Sequence, residues 1–369
     1  MEKIVIGADI VPTPSNEENF ISGNMSGALN NEVMSILNSA TFRIFNLETP
    51  LYDGYSPIKK VGPNLVAKCA TINGLKALGT NLVTLANNHI MDQGIAGLNS
   101  TLETLKQSRI EHVGVGMNST EARKPYCFDF SRKKIGVYAC AEHEFSIATD
   151  KKPGANAVDM IEIWDHISQL KSECDYVIVL YHGGKEYYRY PSPNLQKICR
   201  KLVDKGANLV ITQHSHCVGC QENYHDATIV YGQGNFLFDE DHDEFSDEGL
   251  LVTLDENLKV DYVPLRDCNI KAFFERSKKI KSPEFVEEEY SRFAENMFVQ
   301  QTSPFRRKES FPFKVINKLS GNKIRTQLAY RIPEDQLYAQ VNFVECEAHQ
   351  ELLLRGLKCL MHHSDGSQE

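Results

Sequence analysis

The sequence is most informative first in what it lacks. No stretch approaches the roughly 20 consecutive apolar residues of a membrane helix, so no transmembrane segment is expected. Neither G-x-x-x-x-G-K-[ST] nor G-x-G-x-x-G occurs. That removes the phosphate-cradling loops of P-loop nucleotide binders and dinucleotide enzymes. Positive charge is not in excess: 40 Lys and Arg stand against 49 Asp and Glu, a net charge of −9. Nucleic-acid binding needs basic surface that displaces counterions from phosphate, so no nucleic-acid partner is expected. Cysteine is sparse, ten in 369 residues, which excludes a disulfide scaffold. The one C-x-x-C pair, Cys217 and Cys220, has no second pair to complete a four-cysteine zinc site; it is read as reduced thiols near a loop. No internal repeat and no long low-complexity linker is found.

The N-terminal MEKIVIGADIVPT has one short apolar run, Ile4 to Ile6. An export signal needs about 7–15 apolar residues after a basic segment, so this run is read as a first strand. The expectation is a cytoplasmic chain, at most peripheral to a membrane complex.

What is present is alternation. Strands are expected at Lys3–Ala8, Phe42–Leu47, Leu82–Ala86, Lys134–Ala139, Tyr176–Tyr181, Asn208–Thr212, Thr228–Gly232, Leu250–Leu254 and Lys259–Leu265. Helices are expected at Leu29–Asn38, Ile72–Leu78, Ile95–Ser108, Met160–Ser172 and Asn194–Lys205, two of them closed by Gly79 and Gly206 as left-handed caps. Short, continuous, β-branched runs such as VIVL and LVIT suit strands covered on both faces. Strand–helix alternation predicts α/β layers. The acidic run from Asp239 to Glu248 reads as a solvated loop. From about Ile270 the chain is Lys/Glu-rich and helical in pattern, with Pro283–Val299 and Glu334–Met361 the longest candidates. Two units follow: residues 1–268, and a mainly helical extension at 269–369.

The polar signals sit just after the expected strands, the edge where α/β proteins bind ligands. Asp9 ends G-A-D; Asn46 and Glu48 lie in N-L-E-T-P-L; Asn87, Asn88, His89 and Asp92 lie in A-N-N-H-I-M-D-Q-G; His182 and Glu186 lie in H-G-G-K-E-Y; His214 and His216 lie in Q-H-S-H. Each alone has an ordinary structural explanation. In an extended H-x-H both imidazoles point to one face, because side chains alternate with period 2. Together, carboxylates, an amide oxygen and three histidines form an O/N donor set suited to Mn, Fe or Zn rather than Ca or Mg. Two such ions about 3.5–4 Å apart need a bridging carboxylate, and Glu48 suits that place.

These motifs, with Y-G-Q-G-N-F-L-F-D and in this order, resemble the CapA family of capsule and poly-γ-glutamate biosynthesis proteins. The resemblance spans Asp9 to Asp239. It implies a metallophosphoesterase-type, four-layer α/β/β/α sandwich with one or two divalent ions between the sheets. By position it implies Asp9 and His216 on one ion, Asn88, His182 and His214 on the other, Glu48 bridging, and His89 as proton donor to the leaving group. Three positions depart from broader metallophosphoesterases: Ile10 and Val11 follow Asp9 where D-x-H is usual, Glu48 replaces a shorter carboxylate, and Gln213 precedes His214. The first departure removes a histidine ligand from the Asp9 side.

Secondary residues are read two ways. Glu186 and Tyr187 line the substrate side or cap the next segment. Lys185 and Arg189 contact an anionic substrate or are solvated. Asn235 shapes a turn, since Gly232 and Gly234 permit unusual backbone angles, or contacts substrate. His143 follows a strand and is a weaker candidate. The resulting expectation is a metal-dependent hydrolase in capsule or poly-γ-glutamate synthesis, acting on an anionic small molecule or polyanionic polymer. The alternative is a non-catalytic assembly protein of a polymer-synthesis complex.

Overall fold

All nine expected strands form, and they divide between two sheets. The computed structural model describes residues 2–238, 245, 248–300 and 334–365. Asp239 and most of the acidic run after it lie outside the described residues. With elements numbered in chain order, the first sheet runs β15 (Val260–Arg266), β14 (Glu248–Asp255), β1 (Lys3–Ile10), β2 (Phe42–Leu47), β3 (Leu82–Thr84) and β4 (Glu111–Val113). β1 to β4 are mutually parallel, while β14 and β15 close the edge antiparallel. A short strand not foreseen, β13 (Asn235–Leu237), pairs with the end of β1, so Asn235 stands on a strand rather than in a turn.

The second sheet runs β11 (Val218–Tyr224), β12 (Ala227–Gln233), β10 (Leu209–Gln213), β9 (Tyr176–His182), β7 (Lys133–Ala141) and β6 (Tyr126–Phe130). Its four inner strands are parallel. Two-residue strands β5 (Val115–Gly116) and β8 (Gly154–Ala155) pair separately. Cys217 and Cys220 are free and fully buried, Cys220 within β11 rather than near a loop.

The strand period shows directly in the packing. Along β7, β9 and β10, Ile135, Val137, Ala139, Ile178, Leu180, Leu209 and Ile211 join a core shared with the first sheet. Their alternates Tyr138, Cys140, Val177, Val179, Tyr181 and Val210 join a second core. That outer core is closed by α6 (Ile163–Glu173) and α7 (Pro193–Asp204) through Ile167, Leu170, Cys199 and Leu202. Helices α1 (Glu17–Ser22), α2 (Asn31–Ser39), α3 (Ile72–Ala77) and α4 (Gly94–Ser108) cover the other sheet with Phe20, Leu37, Leu75 and Leu98. The order is therefore α/β/β/α, the four-layer sandwich expected. Each fully buried Leu, Ile, Val or Phe adds about 1.5–3 kcal/mol. A one-turn helix, α5 (Ser119–Ala122), precedes β6.

The two sheets are stapled where β1 is irregular. Register shifts against β2 between Ile6 and Asp9, a bulge that re-aims the strand end. Side-chain amides from the opposite sheet take the carbonyls there: Gln233 donates to Ile6 O at 3.0 Å and Gln213 to Gly7 O at 3.2 Å. Both glutamines are buried, so unpaired they would cost about 1–3 kcal/mol each.

The extension holds α8 (Ile270–Lys279), α9 (Pro283–Gln300), α10 (Glu334–Glu345) and α11 (Glu347–Asp365). Arg276 of α8 donates to the carbonyls of Val218 and Gly219 on β11. Ile280 and Val286 enter the outer core of the second sheet. The single helix expected over Glu334–Met361 is broken at Cys346. Ala348 N–H donates to Glu142 of the sheet domain at 3.1 Å, and the side chain of Gln350 takes the Val344 carbonyl. No helix among the described residues is long and apolar enough to cross a membrane.

Candidate metal centre

The first sheet brings oxygen donors. Asp9 lies on β1 beside Asn46 of β2 and Asn235 of β13 in register. Glu48 follows β2, and Asn88 follows β3. A chain of buried amides orients them. Asn87 donates to Asn46 Oδ1 at 3.0 Å; Asn46 donates to Asp9 Oδ1 at 2.7 Å and lies 3.3 Å from His182 Nδ1. Asn87 Oδ1 in turn accepts from the backbone of His89 and Ile90. Asn46 and Asn87 are thus scaffold residues, fixed before any ligand arrives.

The second sheet brings nitrogen donors. His182 ends β9, and its Nε2 lies 3.1 Å from Asn88 Oδ1 and 3.3 Å from Glu48 Oε1. His214 and His216 follow β10. They are not on an extended segment as the H-x-H reading assumed. Both have left-handed backbones, φ 88° and 53°, a conformation uncommon for residues other than glycine and found at functional sites. The turn, not strand alternation, brings their rings to 5.9 Å, with His182 at 4.8 Å from His214. His216 Nδ1 donates to Asn235 Oδ1 at 2.9 Å, which fixes the orientation of the ring. Asn235 therefore holds His216.

Donor atoms of Asp9, Glu48 and His182 lie within 4.8 Å of one another, and so do those of Glu48, His214 and His216. Glu48 is common to both groups. The three imidazoles are tilted against one another and lie among both carboxylates, with His182 Nε2 3.3 Å from Glu48 Oε1 and His216 Nδ1 3.7 Å from Asp9 Oδ2. Burial holds His182 at about 4 and His214 well below its usual value, so both are in the neutral form that ligates. Asp9 Oδ2 and His214 Nδ1 are buried and make no hydrogen bond. Buried acceptors left so are costly, and a carboxylate–imidazole set of this kind fits a divalent ion of the Mn, Fe or Zn class.

His89 is placed by residues the sequence reading did not assign. Its Nδ1 donates to Asp92 Oδ2 at 2.6 Å, and Lys60, almost fully buried, pairs with the other Asp92 oxygen. Asp92 also accepts from Leu65 N at 2.6 Å, which pins the loop carrying Lys60. Burial, with Lys60 nearby, lowers the His89 pKa, and Asp92 opposes the shift. Glu144 was also missed. It receives the Asn88 amide and lies 3.6 Å from His214 Nε2. Burial and nearby Glu186 raise it to about 7. Asp92 was detectable as the acid three residues after His89; Glu144 lay in the A-E-H-E-F segment flagged for His143; Lys60 left no signal.

The H-G-G-K-E-Y loop follows β9. A Cβ on Gly183 would meet the Glu142 side chain at 2.5 Å, so only glycine fits. Tyr187, with φ 58°, packs tilted against His216, ring centroids 5.9 Å apart. Glu186 pairs with Lys185 at 3.0 Å; burial opposes its ionisation, and Lys185 together with the nearby imidazoles of His214 and His216 holds it low. Arg189 turns away from the centre, donating to Val218 O and pairing with Glu248. His143 pairs with Glu347 of the extension rather than with the donor set.

With this geometry in hand, comparison with known proteins is direct. The sequence model of one family, described as bacterial capsule synthesis protein PGA_cap, matches residues 9–240. The chain belongs to this family. The PGA_cap match includes every donor from Asp9 to His216 and stops before β14. The CapA capsule biosynthesis protein of Bacillus anthracis is 28% identical over 51% of this chain and 47% of its own length. The PGA biosynthesis protein CapA of Bacillus subtilis strain 168 is 28% identical over 49% of this chain and 48% of its own. The chain thus spans about half the length of these curated relatives. Among solved structures, a phosphatase of Mycoplasma pneumoniae is similar over 72% of this chain and 93% of its own, with 14% identity and a TM-score of 0.44.

Proposed function

We propose that this PGA_cap chain is a metal-dependent hydrolase of anionic esters or polymers. The observation that carries the reading is one carboxylate, Glu48, shared by two buried donor groups drawn from opposite sheets. Asp9, Glu48, Asn88, His182, His214 and His216 would hold one or two divalent ions. When bound, such ions supply Lewis acidity and an activated water. The chain's own work is positional. Asn46 and Asn235 fix Asp9, His182 and His216. Asp92 occupies His89 Nδ1, leaving Nε2 to pass a proton to a leaving group. An anionic substrate beside that imidazole raises its pKa and charges it. Glu186 and Tyr187 line the approach from the β9–α7 loop.

The relatives' names favour a polymer of capsule or poly-γ-glutamate type as the context, with an assembly of synthesis proteins around it. The test is elemental analysis of the purified chain, followed by assay of the Mn-loaded protein on a phosphoester panel and on poly-γ-glutamate. About two ions per chain with turnover of any of these supports the reading. Metal without any hydrolysis, together with a His89→Ala variant that still serves the cell, supports the non-catalytic assembly reading instead. No metal after reconstitution removes the hydrolase.

A further inference from the structure

The helices beyond the PGA_cap match reach into the centre's rim. Three fasteners tie them to the ten residues between β9 and α7. At the start of that loop, the buried Glu142 carboxylate accepts from Tyr181 Oη at 3.0 Å and Gly184 N at 3.1 Å. Its second oxygen accepts from Ala348 N at the α10–α11 break. In the middle, Tyr188 packs on Tyr290 and Phe293 of α9, ring centroids 5.3 and 4.4 Å away, and on Leu352 of α11. At the end, Glu351 of α11 accepts from Ser192 Oγ at 2.5 Å and Asn194 N at 3.3 Å. That carboxylate sits at the N-terminus of α7, where the exposed N–H groups favour negative charge. The stretch held by these fasteners carries Lys185, Glu186 and Tyr187. Tyr187 N donates to Ser215 O, between the two histidines of the turn. His349 of α11, half-buried, lies within electrostatic reach of Lys185 and Glu186.

We infer that the α10–α11 elbow is a wall of the centre, with Glu142 and Glu351 as positioning residues that hold Lys185, Glu186 and Tyr187 against the His214–His216 turn and so set what the centre admits. The inference rests on the proposed hydrolase only for the word substrate; the positioning itself is independent of it. Removing Glu351 leaves a buried serine and the first amide of α7 without their acceptor, a loss that frees the loop before it unfolds the sheets.

The experiment uses the full chain: wild type, Glu351→Ala, Glu351→Gln, and Glu287→Ala. Glu287 pairs with Arg355, which also pairs with Glu351, and makes no contact with the loop, so its loss loosens α11 while the Glu351 contacts to Ser192 and Asn194 remain. Hydrogen–deuterium exchange at residues 184–190 should rise about tenfold in Glu351→Ala, recover most of its protection in Glu351→Gln, and stay at wild-type level in Glu287→Ala. With a hydrolysable phosphodiester such as bis(p-nitrophenyl) phosphate, Glu351→Ala should raise KM about fivefold or more while kcat stays within about twofold. Equal exchange in Glu351→Ala and wild type, or equal effects of Glu351→Ala and Glu287→Ala, overturns the inference. If the wild type turns over no ester, the hydrolase reading fails while the exchange result still decides this one.

Discussion

The two sheets contribute opposite chemistry to one place. The strand ends of the first sheet offer oxygen, from Asp9 at the β1 bulge, Glu48 just after β2 and Asn88 in the bend after β3. The strand ends of the second offer nitrogen, from His182 and from two histidines on left-handed backbone. The oxygen side is built cheaply, by ordinary parallel register and a relay of buried amides. The nitrogen side stores strain, about 1–3 kcal/mol for each left-handed residue. Neither half is a site alone. The centre exists because Gln213 and Gln233 fix the spacing of the sheets at the bulge.

The sharpest way to break the comparison is to empty one side. His214→Ala with His216→Ala should abolish metal retention through gel filtration, read by elemental analysis. Glu48→Ala should also remove both ions, because it is shared; retention of one full equivalent would show that Glu48 does not bridge. Activity, where present, should fall at least about a thousandfold in either variant.

The next effect separates the rims. Glu142, on the second sheet, is held near 7 by burial and by Glu347. Its folded pKa lies above the unfolded carboxylate value, so the native state binds the extra proton. Stability should therefore fall as pH rises from about 4.5 to about 7, by at most about 3 kcal/mol, and level off above that. Urea melts across this range check the sign, the Glu142 part being the difference between wild type and Glu142→Gln, in which the Glu144 part remains. A smaller change sharpens the nitrogen side. Asn235→Leu should weaken metal binding about 10–100-fold with the fold retained, because His216 loses the acceptor for Nδ1; competition with a chelator measures it. The smallest is Lys60→Met. Removal of a cation beside His89 should raise that imidazole's pKa, visible as a shift in its NMR titration.

The oxygen side was the more legible half. Asp9, Glu48 and Asn88 follow apolar β-branched runs, and in parallel strands such runs fix both register and edge. The histidines were identifiable by type, but their convergence was attributed to strand alternation. Backbone handedness is set by tertiary packing of the turn, which the pattern Q-H-S-H does not encode. Asn235 was misplaced for a related reason: β13 has three residues, and its pairing partner lies more than two hundred positions earlier. Lys60 left no trace, and Glu142 only its place in A-E-H-E-F, because their burial depends on what folds over them, a loop pinned by Asp92 in one case and the α10–α11 break in the other.

The Ser192–Glu351 contact also has a consequence in time. Its partners are 159 residues apart. At about 5–20 residues per second a ribosome takes about 8–30 s to make that interval. For most of it, β9, β10 and their histidines have been synthesised, yet the loop beside them lacks its last fastener. The donors are thus complete in the nascent chain well before the wall that shelters them, and the centre is most open to incoming ions, and to the wrong ones, while the protein is still being made.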